Sequence, residues 1–161
     1  MVIMQLNKFT DYALRILMYV ARPSDAPYTI AEIAQDLYVS QNHLVKVVHF
    51  MGKQEWIITI RGKGGGIRLN PKALDLKLGT IVRILQGDHQ IVECNTPPCV
   101  LRSHCGLKGI LDQALESFYQ SLDQYTLGEV LQQPKSASDH SLSPFYNSRA
   151  RNSIYLFKQA Y

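Results

Sequence analysis

Residues 61–66 read Arg-Gly-Lys-Gly-Gly-Gly, and they lie between two short runs of β-formers, Trp56-Ile57-Ile58-Thr59-Ile60 and Ile67-Arg68-Leu69. Glycine at that density ends a helix and supplies the backbone freedom that a tight reversal needs, while branched and aromatic residues favour a pleated backbone. The segment therefore reads as a β-hairpin with a glycine-rich tip. A hairpin of this size buries too little surface to stand alone, so it must pack on something else.

What precedes it is helical. Phe9, Ala13, Ile16, Leu17 and Val20 recur at helical spacing and predict a helix from about Asn7 to Ala21. Asp11 and Arg15 are four apart on another face, where they can pair. Arg22-Pro23-Ser24-Asp25-Ala26-Pro27 breaks the pattern. Thr29 and Glu32 have capping-box spacing and open a second helix whose apolar face is Ile30, Ile33, Ala34 and Leu37. Tyr38-Val39 turns the chain. Ser40 is then placed to cap a third helix reaching Met51 and stopped by Gly52, with Leu44, Val47, Val48 and Met51 on its buried side. Three helices followed by a glycine-rich hairpin is the order of a winged helix-turn-helix, so the fold class is mainly α with a small β-hairpin wing.

Beyond the hairpin, Leu78, Ile81, Val82 and Leu85 predict a helix from Leu76 to Gly87. A loop spans roughly Asp88 to Cys105. A long amphipathic helix follows, with Leu107, Ile110, Leu111, Ala114, Leu115, Phe118 and Leu122 in one stripe. Thr126 and Glu129 form a second capping box, opening a short helix to about Gln132. Residues 135–144 are rich in Ser and lack an apolar period, and 146–161 carry aromatics without an amphipathic repeat; both read as a flexible C-terminal tail. The expected organisation is residues 1–75 as a DNA-binding domain, 76–133 as loop and long helix, and 134–161 as tail.

Composition excludes more than it assigns. A chain of 161 residues with 46% hydrophobic and 19% charged residues is about one soluble domain with a core. Apolar runs are too short and too often interrupted by charge for a membrane span, and the N-terminus lacks a signal-peptide pattern, so a cytoplasmic protein is expected. The net charge of +4 suits a solvated surface as readily as a polyanion partner. No Ser/His/Asp or paired-carboxylate constellation is present, so an enzyme is not expected.

The third helix would present Ser40, Gln41, Asn42 and His43 at its start, where a recognition helix meets base edges in the major groove, and Lys46 one turn on, better placed for phosphate. Arg61, Lys63 and Arg68 flank the wing, and Gly65 at its tip lets the backbone approach a duplex closely. An ordinary solvated helix start and hairpin turn would look similar piece by piece; both in the right order favour double-stranded DNA. The glycine run is not a phosphate loop, because it lacks the Gly-Lys-Ser/Thr ending and joins strands instead of opening a helix.

The chain has three cysteines, all between residues 94 and 105, spaced Cys94-x4-Cys99-x5-Cys105 with Pro97-Pro98 stiffening the loop. An odd number cannot be fully paired within one chain. Clustered thiolates favour zinc, copper(I) or iron–sulfur clusters, and a redox thiol switch is a further possibility. Zinc sites usually show close Cys-x2-Cys pairs and four ligands, so these wider spacings with three thiols fit a cluster better, and leave a zinc-stabilised DNA-binding module as the reading from another class.

Taken together, Asn7-Lys8-Phe9-Thr10-Asp11-Tyr12-Ala13-Leu14-Arg15, the helix-turn-helix, the wing Ile60-Arg61-Gly62-Lys63-Gly64-Gly65-Gly66-Ile67-Arg68-Leu69 and C-x4-C-x5-C resemble the winged-helix iron–sulfur repressors, in their nitric-oxide-sensing branch. The resemblance covers residues 4 to about 133. It implies a homodimer joined through the long helix after Cys105, a cluster ([4Fe-4S], or [2Fe-2S] after oxygen damage), a palindromic operator, and release of that operator when nitric oxide attacks the cluster. It also implies that Asp11, in the Phe-Thr-Asp segment, completes the ligand set from the other subunit. His104 and Glu93 are the rival fourth ligands, and an ion pair with Arg15 is the plainer reading of Asp11. His43, His49, His89 and His140 show no ligand spacing. A regulator of the same family that senses cluster or iron supply would share these motifs.

Overall fold

A computed structural model of the chain describes residues 6–87, 91–92 and 94–132. Helix α1 (Lys8–Val20) begins at Asn7, whose side chain accepts the Thr10 amide at 2.7 Å. Such a cap is worth about 1 kcal/mol. Helix α2 (Ile30–Leu37) carries the Thr29–Glu32 capping box with both bonds formed. Tyr38 then adopts a left-handed conformation (φ 54°), and α3 (Gln41–Lys53) follows. Strands β1 (Ile57–Ile60) and β2 (Gly66–Leu69) pair antiparallel, Ile57 opposite Leu69 and Ile60 opposite Gly66. A 3-10 turn (Pro71–Asp75) leads to α4 (Leu78–Gln86), then α5 (Leu107–Leu122) and α6 (Leu127–Gln132).

The expected apolar faces meet in one core. Ala13, Ile16, Leu17 and Val20 of α1 pack with Ile33 and Ala34 of α2, Leu44, Val47, Val48 and Met51 of α3, and Trp56, Ile57 and Ile67 of the hairpin. Ile81 and Leu85 of α4 and Leu127 of α6 join the same cluster, so the core continues past residue 75. The hairpin is fixed to the helices by an isolated bridge: Tyr28, just before α2, exchanges two backbone hydrogen bonds with Ile67, at 3.0 and 2.7 Å.

Three local expectations are corrected. Helix α3 passes through Gly52 to Lys53, because the chain reverses at Glu55 (φ 58°) instead. Ser40 holds the N-cap position through its backbone carbonyl, which accepts the His43 and Leu44 amides, without a capping side-chain bond. Helix α4 starts at Leu78, two residues later than expected. Leu76 and Lys77 are extended there: Lys77 bridges Thr126, the Leu78 amide donates to the Tyr125 carbonyl, and the Leu127 amide donates to the Leu76 carbonyl.

Helix α5 rests on α4 through a close approach that only glycine permits. A side chain at Gly79 would collide with the Tyr119 carbonyl and lie 2.7 Å from the Asp123 carboxylate. That carboxylate accepts the Thr80 amide at 2.8 Å, and Arg83 of α4 binds both oxygens of Glu116 while lying over the Tyr119 ring. Tyr119 is the buried side chain of α5; Leu107 and Ile110 remain 57% and 65% exposed, and Phe118 is exposed as well. The predicted stripe exists, but the other described residues leave it largely uncovered. The tail expected from residue 134 onward lies outside the described residues, as do Glu93, His89 and His140.

Candidate cluster loop and nucleic-acid interface

The cysteine loop is built from turns. The Cys99 amide donates to the Cys94 carbonyl at 3.1 Å, which folds the first spacer back on itself, and Pro97-Pro98 lie inside that turn. The Arg102 amide returns to Cys99 and the His104 amide to Leu101. Cys105 comes next and stands one residue before Gly106, the N-cap of α5. All three thiols are free: Cys94 and Cys99 are half-buried and Cys105 is exposed. Around them Val100, 93% exposed, and Leu101 face outward without cover.

The loop holds the thiols near one another in sequence without assembling them. Among the described residues no three His, Cys, Asp or Glu side chains come close enough to hold a metal ion. His104 turns its Nδ1 to the Ser103 hydroxyl at 2.8 Å. Asp11 pairs with Arg15 within its own helix, Arg15 Nε donating to Asp11 Oδ1 at 2.9 Å. Among the described residues Asp11 therefore forms no metal-binding group with the cysteines. The donor chemistry fits a soft, thiolate-bound group; the arrangement in a single chain is incomplete.

The candidate DNA face is better formed. Because Leu44, Val47, Val48 and Met51 turn inward, Gln41, Asn42, His43, Lys46 and His49 are left exposed. Ser40 is exposed just before them, beside the exposed Tyr38. From residue 37 to 74 the chain has six lysines and arginines and one acid, Glu55, a local bias that the modest overall charge conceals. Arg61 and Lys63 stand exposed at the wing tip, where Gly62 and Gly64 take positive φ. At Gly65 a side chain would strike the Ile60 carbonyl and come within 2.8 Å of that of Gly62, so the tip must be glycine for its own closure. Arg68 is engaged elsewhere. Its guanidinium donates to the Ser24 and Asp25 carbonyls at 3.1 and 2.6 Å and ties the wing to the α1–α2 loop.

Two contacts had no signal in the sequence. Tyr12, next to Asp11, stacks on His43 at the head of α3, with ring centroids 6.5 Å apart and planes 20° from parallel. Gln86, the last residue of α4, meets Asn7 and Thr10 at the start of α1. Their partners are far apart in the chain, so no local pattern announces them.

Residues 6–133 match the family model of Rrf2, described as an iron-dependent transcriptional regulator. The chain belongs to this family. It is 41% identical over 132 residues to the HTH-type transcriptional regulator NsrR of Oceanobacillus iheyensis, a match covering 80% of this chain and 90% of that protein. NsrR of Bacillus subtilis is likewise 41% identical, over 133 residues, with 80% and 90% covered. Among solved structures, a transcriptional regulator from Listeria innocua is similar with a TM-score of 0.64 and 25% identity, over 86% of this chain and 95% of that one. CymR of Staphylococcus aureus matches with a TM-score of 0.64 over 81% of this chain and all of that one; at 20% identity it bears on the fold alone. This Rrf2 protein is thus a DNA-binding transcriptional regulator and not an enzyme, with the winged-helix fold expected from its glycine-rich hairpin. Among its described residues, no helix is long and apolar enough to cross a membrane.

Proposed function

We propose that the chain is a nitric-oxide-sensitive repressor, whose cluster-bearing homodimer holds a palindromic operator and releases it when nitric oxide arrives. The observation that carries this reading is the position of the chain's three thiols. All are free, and all lie in one loop that runs directly into a helix whose apolar stripe the described residues leave largely uncovered, in a chain 41% identical to NsrR.

Cys94, Cys99 and Cys105 are the thiolate ligands in this reading, and Asp11 of the second chain is the fourth. Bound there, an iron–sulfur cluster, [4Fe-4S] or [2Fe-2S], supplies iron that reacts with nitric oxide. Carboxylate is a weaker donor to iron than thiolate, so the Asp11 position is the labile one. Within its own helix Asp11 pairs with Arg15, and a partly exposed i,i+4 pair is worth well under 1 kcal/mol, so giving up that pair costs little. With Asp11 engaged across the dimer, α1 of one chain and the loop and α5 of the other are held in one arrangement. That arrangement sets the separation of the two α3 helices, and half-site spacing on DNA is read by that separation. Once Asp11 is released, the separation is no longer held and specific binding weakens.

On the duplex, Ser40, Gln41, Asn42 and His43 are the base-reading residues, while Lys46, Arg61 and Lys63 contact phosphate. Gly65 shapes the wing tip, and Arg68, committed to Ser24 and Asp25, holds the wing in position for those contacts.

Anaerobic purification followed by absorption spectra and duplex binding, before and after nitric oxide, tests the proposal. Visible iron–sulfur absorption and tight binding that both fall on addition of nitric oxide are expected. A colourless protein with stoichiometric zinc would sink it in favour of a zinc-stabilised DNA-binding module. Asp11→Ala protein that keeps both the spectrum and its link to DNA binding would remove Asp11 from the ligand set.

A further inference from the structure

Helix α4 ends at Gln86, the next residue, Gly87, takes φ +64°, and Cys94 opens the cysteine loop shortly after it in the sequence. The Gln86 side chain is half-buried and turns its carboxamide oxygen to the start of α1. Its carbonyl oxygen accepts from the Asn7 carboxamide and, more weakly, from the Asn7 backbone amide at 3.4 Å and the Thr10 hydroxyl at 3.3 Å. Thr10 is 0% exposed and is the one fully buried polar residue among those described. Its amide in turn donates to the Asn7 side chain at 2.7 Å. The knot is neutral and leaves no buried side-chain polar atom of the described residues without a partner. The network is part-buried around the buried Thr10, and removing its common acceptor takes a partner from the Thr10 hydroxyl and from Asn7 at once.

The position of the knot gives it significance. Thr10 directly precedes Asp11. Tyr12, two residues on, stacks on His43 at the head of α3, and Ala13, Ile16 and Leu17 share a core with Leu44, Val47 and Met51 of that helix. A shift at the exit of α4 therefore reaches the first turn of α1, and through α1 the recognition helix, along continuous packed contacts. We infer that Gln86 is a positioning residue that couples the cysteine loop to the DNA-reading helix within one chain, by holding the first turn of α1. This rests on the cluster-dependent DNA binding proposed above. It adds a link within the chain to the one that Asp11 makes across the dimer.

Every contact of Gln86 in the knot uses its carbonyl oxygen as acceptor, which makes the inference specific. Gln86→Glu keeps an acceptor of the same reach, whereas Gln86→Leu keeps the bulk and removes the acceptor. The test compares the full-length wild type with both variants, with and without cluster. The probe is one palindromic duplex selected by the cluster-loaded wild type from a randomised pool. Two quantities are measured: the ratio of duplex affinities, loaded over cluster-free, and amide hydrogen exchange at Thr10 and Asp11 in cluster-free protein.

The wild-type ratio is expected within about 5–150-fold, the usual range of coupling between sites. Gln86→Leu should bring it below about 5-fold, with cluster absorbance retained and faster exchange in the first turn of α1, and Gln86→Glu should restore both. Faster exchange with an unchanged ratio makes the knot merely structural and overturns the inference. A wild-type ratio of one overturns the sensing proposal, and this one with it; a high wild-type ratio that Gln86→Leu leaves intact overturns this one alone. Should Gln86→Leu fail to fold, Thr10→Val removes one donor from the same knot and takes its place: a lowered ratio supports the coupling, and an unchanged ratio overturns it.

Discussion

Residues 8–69 and residues 91–122 are built to different standards of completeness. In the first region Ile16, Leu17, Ile33 and Leu44 are fully buried, the caps of α1 and α2 are formed by their own side chains, and the wing is tied down by Tyr28 and Arg68. In the second, the thiols are unassembled, the loop exposes Val100 and Leu101, and α5 buries one side chain, Tyr119. Both regions have amphipathic sequence. The difference lies in what covers the apolar side: in the DNA-reading half it is other described parts of the same chain, and along α5 the described residues leave most of it open. On the proposed reading a second copy would complete both the stripe and the ligand set, and regulation would turn on how two chains meet.

The largest expected effect tests whether the first half is finished. Leu44→Ala removes a fully buried side chain and should destabilise the fold by about 2–5 kcal/mol, whereas Val100→Ala in the exposed loop should stay within about 0.5 kcal/mol. Urea denaturation of both proteins checks this, and equal costs would break the contrast. Next, Ile110→Asp places a charge in the uncovered stripe of α5. It should convert a dimer to a monomer with unchanged helix content, read by sedimentation and circular dichroism together; a dimer indifferent to the change would put the interface elsewhere.

The smallest effect is a pH dependence inside the finished half. Burial first, and then the hydrogen bond that the Tyr19 hydroxyl donates to Asp36 at 2.6 Å, push the Tyr19 pKa from 10.0 up to about 12. Between those values the folded chain keeps a proton that the unfolded chain has lost, so this contribution is whole below pH 10 and fades as pH rises toward 12. Urea midpoints across that window should fall more steeply for wild type than for Tyr19→Phe. Equal slopes would mean that the Tyr19–Asp36 contact does not hold the proton in solution.

Much of this was legible in the sequence. The faces of α1 to α4, both capping boxes and the hairpin follow from periodicity and local chemistry, because a helix face or a cap is decided by residues three or four apart. The grouping of the thiols was equally plain. Less legible was anything that needed a partner distant in sequence. The late start of α4 depends on a bridge between Lys77 and Thr126 and on backbone bonds of Leu76 and Leu78 to Leu127 and Tyr125.

The glycine-rich hairpin and the three helices before it determined the fold class, and the three thiols in one loop determined the kind of chemistry to expect, since each is a property of short stretches of chain. Tertiary structure decided what the individual side chains do. Arg68, read as a DNA contact, is taken by carbonyls 43 and 44 residues away, and Gln86, which no local pattern singled out, closes a knot with Asn7 79 residues away. Hydrogen bonds are directional and short, so a side chain's role is fixed only once folding has chosen which distant backbone or carboxamide stands within about 3 Å of it.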